Sequence, residues 1–191
     1  TIVNLTTAGQ DGFVFGNGTD YIYNCNLRSM RFTSSVSKSG GAAIKLQRHK
    51  FIDVCDVTFE DQFMGVLVAQ DSVGTYIHDF NILDCTPSTG IGIAQYREGG
   101  ADIGCDLYIS NGMISSPGSG SEPAVGLQIR ATKGTFIDNV DITFQTYGVL
   151  VNPNSPGDYV EWILANQLLT DSCTEGGTVL SPSSGYTLRG V

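Results

Sequence analysis

Two short hydrophobic signals alternate along the chain. The first opens on Gly or Ala and continues as an apolar run, at Gly12–Phe15, Gly41–Ile44, Gly65–Val68, Gly90–Ile93, Ala124–Leu127, Gly148–Val151 and Gly177–Leu180. The second follows each of the first six copies and reads aromatic, aliphatic, four residues, aliphatic: Tyr21-Ile22…Leu27, Phe51-Ile52…Val57, Tyr76-Ile77…Ile82, Tyr108-Ile109…Ile114, Phe136-Ile137…Ile142 and Trp162-Ile163…Leu168. The runs are short, alternating and β-branched, which predicts strands rather than helices. Successive openings lie 24 to 34 residues apart, so two linked signals in fixed order predict one structural unit stacked along an axis. A propeller needs four strands in a period of about 40 or more, and a leucine-rich repeat needs a Leu/Asn consensus that is absent. Two or three short strands per turn instead make a parallel β-helix.

Side-chain alternation assigns the faces. In the first strand, Val66 and Val68, Ile91 and Ile93, Val125 and Leu127, and Val149 and Val151 are expected to point inward. In the second, Ile22, Ile52, Ile77, Ile109 and Ile137 are expected to form an interior stack. Two positions later stand Asn24, Val54, Asp79, Asn111 and Asn139, an Asn-rich position that suits a bend with amides stacked between turns. Gln70 and Gln95 suit the same role inside. The expected fold is all-β, a parallel β-helix solenoid of about seven turns stacked at roughly 4.8 Å. It forms one domain over residues 1–191, and strand-like sequence at Thr1–Leu5 and Gly185–Val191 reads as a section of a longer rod.

Composition narrows the function. Charged residues are 15% of the 191, against about 25% in ordinary domains, and strong helix formers are scarce, which excludes a helical bundle. No run of 18 or more apolar residues exists, so no membrane-spanning helix is predicted. The net charge of -9 argues against nucleic acid and anionic membrane as partners. Six of the ten Lys/Arg lie between Arg28 and Lys50, whereas residues 51–96 hold none and carry Asp53, Asp56, Glu60, Asp61, Asp71, Asp79 and Asp84. That acidic run reads as a solvated face. The five cysteines show neither CxxC nor zinc-ligand spacing, and Cys25, Cys55 and Cys105 sit in apolar patterns as small hydrophobes. Reduced thiols, cytoplasmic folding and no metal site are expected.

Gly65–Val68, Tyr76-Ile77…Ile82, the Gly-rich turns and the Asn-rich bend resemble the right-handed parallel β-helix superfamily of pectate-lyase-like proteins. The long Ser/Gly-rich turns and acidic charge look most like bacteriophage tailspike and other virion-spike β-helices. The resemblance implies a homotrimer on a virion, assembled in the host cytoplasm beside other virion proteins. It also implies binding, and in some members depolymerisation, of host cell-surface polysaccharide. Hydrolytic members use Asp/Glu pairs; lyase members use Lys or Arg, some with calcium. The pectate-lyase pattern of calcium carboxylates and a catalytic arginine cannot be matched here, so no catalytic residue is carried over. No cofactor is expected, with calcium the one allowed exception.

Outward positions of the first strand supply candidate substrate-binding residues: Lys45, Gln47, Tyr96, Gln128, Arg130 and Asn152. Aromatic surface, amides and charges suit a sugar-binding groove, and equally an ordinary solvated face with a cross-turn pair such as Asp71 with Lys45. The insertion from Gln95 to Leu107 carries Arg97, Glu98, Asp102 and Asp106, and long loops on rigid scaffolds carry function. A glycosidase needs two carboxylates about 5 Å apart for retention or roughly 6.5–9.5 Å apart for inversion. Asp71 with Glu98 or Asp102 is the candidate catalytic set, and solubility-promoting loop carboxylates are the alternative. Lys45, Arg48, His49 and Lys50 suit an anionic sugar, with Lys45 or His49 as base in a lyase, or charge balance for the acidic run. Three readings follow: a glycan-binding virion spike, a purely structural spike or fibre, and a secreted bacterial polysaccharide lyase or hydrolase. The odd cysteine count and the lack of a signal peptide weigh against the last.

Overall fold

The computed structural model describes residues 1–69, 71–85, 89–97, 104–116, 125–153, 158–181 and 188–189. In chain order its strands are β1 (Ile2–Leu5), β2 (Phe13–Phe15), β3 (Ile22–Ser34), β4 (Ala42–Gln47), β5 (His49–Glu60), β6 (Met64–Ala69), β7 (Val73–Leu83) and β8 (Ile91–Tyr96). There follow β9 (Cys105–Ser115), β10 (Val125–Ile129), β11 (Thr135–Thr143), β12 (Tyr147–Val151), β13 (Val160–Glu161), β14 (Ile163–Asp171), β15 (Gly176–Leu180) and β16 (Leu188–Arg189). No helix occurs among the described residues. One seven-stranded sheet runs β1-β3-β5-β7-β9-β11-β14, a second runs β2-β4-β6-β8-β10-β12-β15, and β13 pairs with β16. All pairings are parallel, as between β5 and β7 or β6 and β8. The chain passes from one seven-stranded sheet to the other strand by strand, the connectivity of a β-helix-like solenoid.

The first sheet consists of long strands that bend. Ser29, Asp56, Asp79, Asn111, Asn139 and Gln167 all have φ between 50° and 55°. Strand register places them in one column across β3, β5, β7, β9, β11 and β14. A left-handed residue interrupts the in-out alternation, so each strand turns there without losing its ladder. Asn and Asp tolerate this conformation best because their short polar side chains bond locally. Here Asn139 Nδ2 donates to Asn111 Oδ1 at 3.0 Å, and Ser29 Oγ donates to Asp56 Oδ2 at 2.7 Å. The amide-stacking bend is therefore present, with Asp79, Asn111 and Asn139 as expected, but Ser29 and Asp56 stand where the sequence pattern points to Asn24 and Val54. Asp61 and Asp84 are also left-handed, at φ 56° and 54°. Part of the acidic run is thus a consequence of bending the backbone.

The core fills the space between the sheets in columns. Ile44, Val66, Ile93, Leu127 and Val149 are aligned and at most 2% exposed, and Leu46, Val68, Ile129 and Val151 form the next column with Gln95. Opposite them lie Leu27, Val54, Ile77, Ile109 and Ile137. Beyond the bend come Phe32, Phe59, Ile82, Ile114 and Ile142, with the two Phe rings stacked at 5.2 Å. Gln95 accepts a hydrogen bond from Thr135 Oγ1 at 2.6 Å inside this core. Gln70 lies outside the described residues.

Two register expectations are corrected. Ile91 and Val125 lie one inward pair too early: Ile93 aligns with Leu127, and partly buried Ile91 packs instead against an outer cluster of Met64, Leu67, Ala69 and Ala94. In the second signal, the Tyr76, Tyr108 and Phe136 copies align, but Asp53, not Phe51, pairs with Tyr76, and Leu164, not Trp162, pairs with Phe136. Aromatic residues two positions away mimic the motif because an even offset preserves alternation. The same offset affects the opening glycines. Their structural column is Gly12, Ala43, Gly65, Gly92, Gly126, Gly148 and Gly177. A Cβ at Gly126 would lie 2.4 Å from Ile142 Cγ2 and 2.7 Å from the Gly148 carbonyl oxygen. At Gly65, Gly92 and Gly126 the bend-side isoleucines Ile82, Ile114 and Ile142 occupy the volume a side chain would need, and Thr170 does so at Gly148 and Gly177.

Candidate functional site

Between two bend columns, the outer face of β5, β7, β9, β11 and β14 forms a narrow flat strip. Residues Asp53, Tyr76, Tyr108, Phe136 and Leu164 stand side by side on it. The Tyr76, Tyr108 and Phe136 rings stack at 4.8 and 4.7 Å with interplanar angles of 6° and 10°. Parallel strands are about 4.8 Å apart, so registered aromatic residues necessarily meet face to face. Tyr76 is 41% exposed, Leu164 55%, Phe51 54% and Trp162 59%. Phe51 and Trp162 flank the strip in the left-handed conformation, at φ 63° and 56°. Such a conformation costs a bulky residue on the order of 1–3 kcal/mol, and strain of this kind clusters at functional sites. The Phe51 ring covers Gly74, where a Cβ would lie 2.8 Å from Phe51 Cδ1. Phe51, Asp53, Tyr76, Asn24 and Asn26 line a hollow of about 260 Å³.

Across the Asp/Asn bend runs a second, larger depression. Asp79, Asn111, Asn139, Asn81, Asp141 and Gln167 line a groove of about 580 Å³ with Phe80, Gly112 and Met113. Aromatic faces on one side of the bend and a row of amides and carboxylates on the other make a surface that stacks on apolar ring faces and hydrogen-bonds to hydroxyls.

His78 lies within the strip. Its Nδ1 is 2.7 Å from Asp79 Oδ2 and its Nε2 2.9 Å from Asp53 Oδ1. Burial lowers its pKa, but the hydrogen bonds to both carboxylates outweigh that and raise it above 6.5. Arg28 Nη2 stands 3.3 Å from Asp53 Oδ2, and Cys55 faces His78 across the ladder. Burial, then neighbouring Asp53, push the Cys55 thiol upward. Cys55 therefore points outward on a polar face and is not a core hydrophobe. All five cysteines are free.

The residues expected to form a sugar groove on the second sheet divide into separate groups. Lys45 and Gln128 share a column, but Leu67 and Ala94 stand between them. Gln128 is only 4% exposed and donates to Asn152 Oδ1 at 3.2 Å. The Arg130 guanidinium lies over the Tyr96 ring at 5.3 Å. Tyr96, Gln128, Arg130 and Asn152 thus form one group, while Lys45 and Gln47 sit across the apolar Met64, Leu67, Ala69 and Ala94 cluster. The sequence pattern hides that cluster, because Leu67 and Ala94 belong to apolar runs whose other members fill the core. Lys45 Nζ lies 3.9 Å from Asp11 Oδ2.

Asp71 accepts a hydrogen bond from the Tyr21 hydroxyl and lies 3.6 Å from Arg48 Nη2. Glu98 and Asp102, its candidate catalytic partners, lie outside the described residues. Among the basic cluster, Arg48 and Lys50 cover the Tyr21 ring at 5.4 and 4.6 Å, and His49 is fully buried. Burial lowers the His49 pKa to about 4, and its Nε2 is 2.6 Å from Thr75 Oγ1. Its place in the core removes it as an exposed base.

Calcium needs six to eight oxygen ligands. Among the described residues, the one cluster of three metal-ligating groups is Asp53, Cys55 and His78, which offers one carboxylate beside sulfur and nitrogen. That set does not fit calcium. The aromatic strip itself was partly legible, since an aromatic residue preceding an inward Ile must face out. The Asp53–Cys55–His78 group was not, because the aromatic motif sets its strand two positions out of register. No family model matches the chain, and neither a curated protein nor a solved structure matches it.

Proposed function

We propose that this chain is a right-handed parallel β-helix of about seven turns that binds host cell-surface polysaccharide as part of a virion spike. The observation that supports binding most strongly is the stacked Tyr76–Tyr108–Phe136 ladder beside the Asp/Asn-lined groove. Pyranose rings present flat C–H faces that pack on aromatic rings, and their equatorial hydroxyls need the acceptors and donors that Asp79, Asn111 and Asn139 provide. A ladder running across consecutive strands matches a linear polymer better than a small ligand. The acidic net charge favours a neutral or weakly charged glycan over a strongly anionic one. The tailspike resemblance adds the virion, the homotrimer and the polysaccharide class to this reading. Binding is the activity proposed, and no cleavage step is required by it.

Trp162 is the single tryptophan and lies exposed beside the strip. Titrating purified capsular and O-antigen polysaccharides against the full chain should shift its emission to the blue for the cognate glycan. Tyr108→Ala should weaken that binding roughly fivefold or more, taking the roughly 1–3 kcal/mol of a nucleobase stacked on one aromatic side chain as the scale. A full panel without saturable binding, or binding unchanged in Tyr108→Ala, would overturn the proposal.

A further inference from the structure

The outer face of β5 and β7 also carries a chemical group that glycan stacking does not use. We propose that Asp53, Cys55 and His78 form a binding site for a borderline-soft divalent cation, with zinc the best match. One carboxylate oxygen, one sulfur and one ring nitrogen lie within 4.8 Å of one another. The strands set this arrangement: Cys55 pairs directly with His78, and Asp53, two residues earlier, projects from the same face. Both strands are fixed by ladders on either side, so the donor backbones are already in place.

The surrounding groups orient the donors. Asp79 holds His78 Nδ1 at 2.7 Å, which turns Nε2 toward Asp53. A carboxylate on the distal ring nitrogen is the usual support of a metal-binding histidine. Arg28 holds the second oxygen of Asp53 at 3.3 Å, leaving the first for the cation. Tetrahedral zinc sets its N, O and S donors about 3.3–3.6 Å apart. The present Nε2–Oδ1 contact of 2.9 Å need widen by less than an ångström, within reach of side-chain rotation.

Donor type selects the ion. Thiolate and imidazole favour zinc, whereas calcium and magnesium require oxygen-rich shells. On uptake, Cys55 loses its thiol proton and His78 its Nε2 proton, both to solvent. The cation then takes sulfur, nitrogen and oxygen, with a fourth position open to water. Such a site would also tie two adjacent strands of the sheet and stabilise the fold by an amount that rises with the logarithm of free zinc concentration above the dissociation constant.

Isothermal titration of the full chain with zinc chloride should give one ion per chain, and cobalt(II) should give a thiolate-to-metal charge-transfer band. Cys55→Ser should abolish both, His78→Asn should weaken zinc at least tenfold, and Cys105→Ser should leave both intact. In the unsubstituted chain, one equivalent of zinc should slow alkylation of Cys55 by iodoacetamide, read by mass spectrometry at that residue. Absence of stoichiometric zinc binding, an unchanged cobalt band in Cys55→Ser, or an unchanged Cys55 alkylation rate would each overturn the assignment.

Discussion

Gly112→Val is expected to lower the thermal unfolding midpoint by roughly 6–12 °C, the equivalent of about 3 kcal/mol in a domain of this size. Gly112 stands in the inward column between Phe80 and Val140. It has no positive φ, so its backbone would accept any side chain, and only space forbids one. A Cβ there would lie 2.2 Å from Phe80 Cε1 and 2.3 Å from Cζ. The Phe80 ring is 1% exposed and leans over the neighbouring strand, so it cannot retreat without displacing other core residues. Glycine at 112 and phenylalanine at 80 are therefore two halves of one packing solution. Phe80→Ala alone should cost about 3–5 kcal/mol by leaving a cavity. In the double variant the introduced valine side chain enters that cavity, and the combined loss should fall short of the sum by about 2 kcal/mol. Urea denaturation of the four proteins measures this coupling. Strictly additive losses would mean that the two residues do not share the volume described.

Acid should destabilise the chain through His49 well before general carboxylate protonation. The unfolded imidazole titrates near 6.5, and burial lowers the folded value to about 4. The ring is 0% exposed, with Thr75 Oγ1 on Nε2 and no hydrogen-bond partner on Nδ1. A charged ring there would have two donors and one acceptor. Between pH 6.5 and 4 the unfolded chain binds a proton that the folded chain refuses. Stability is therefore fully present above about pH 6.5, declines as pH falls through this window, and is lower by about 3 kcal/mol below pH 4. Carboxylates contribute their own acid dependence, so the readout is the difference between the natural chain and His49→Gln. Urea midpoints measured from pH 7 to 4 should fall more steeply for the natural chain. Parallel slopes would show that His49 is not held neutral. His78, with its raised pKa, contributes in the opposite direction: its stabilisation is present below about pH 6.5 and is lost as pH rises through its folded value.

The fold was legible because strand period and repeat spacing are global properties. Val66, Ile77, Ile109 and Ile137 face inward as alternation requires, and the bend position was marked by Asp79, Asn111 and Asn139. Register was less legible. Alternation fixes a face but not which pair of strands aligns, and Phe51 and Trp162 carry the same aromatic-aliphatic signature two residues before the true position. Left-handed residues such as Asp56 break alternation at points that a period-two pattern does not mark. Outward positions alone suggest a groove on the second sheet, and the intervening Leu67 and Ala94 divide it. The Asp53–Cys55–His78 group becomes visible only when adjacent strands are aligned, because its members come from two turns of the chain. Chemistry assembled across turns of a solenoid leaves little trace in any one segment.

Ligand binding on the aromatic strip is the claim on which the proposed function rests. Hydroxyl-radical footprinting of the full chain, with and without a bound host polysaccharide, addresses it directly. The expected result is protection of Tyr76, Tyr108, Phe136 and Trp162, with Tyr96 on the opposite sheet unchanged. Protection confined to Tyr96 and its neighbours, with the four strip residues oxidised equally in both samples, would contradict it.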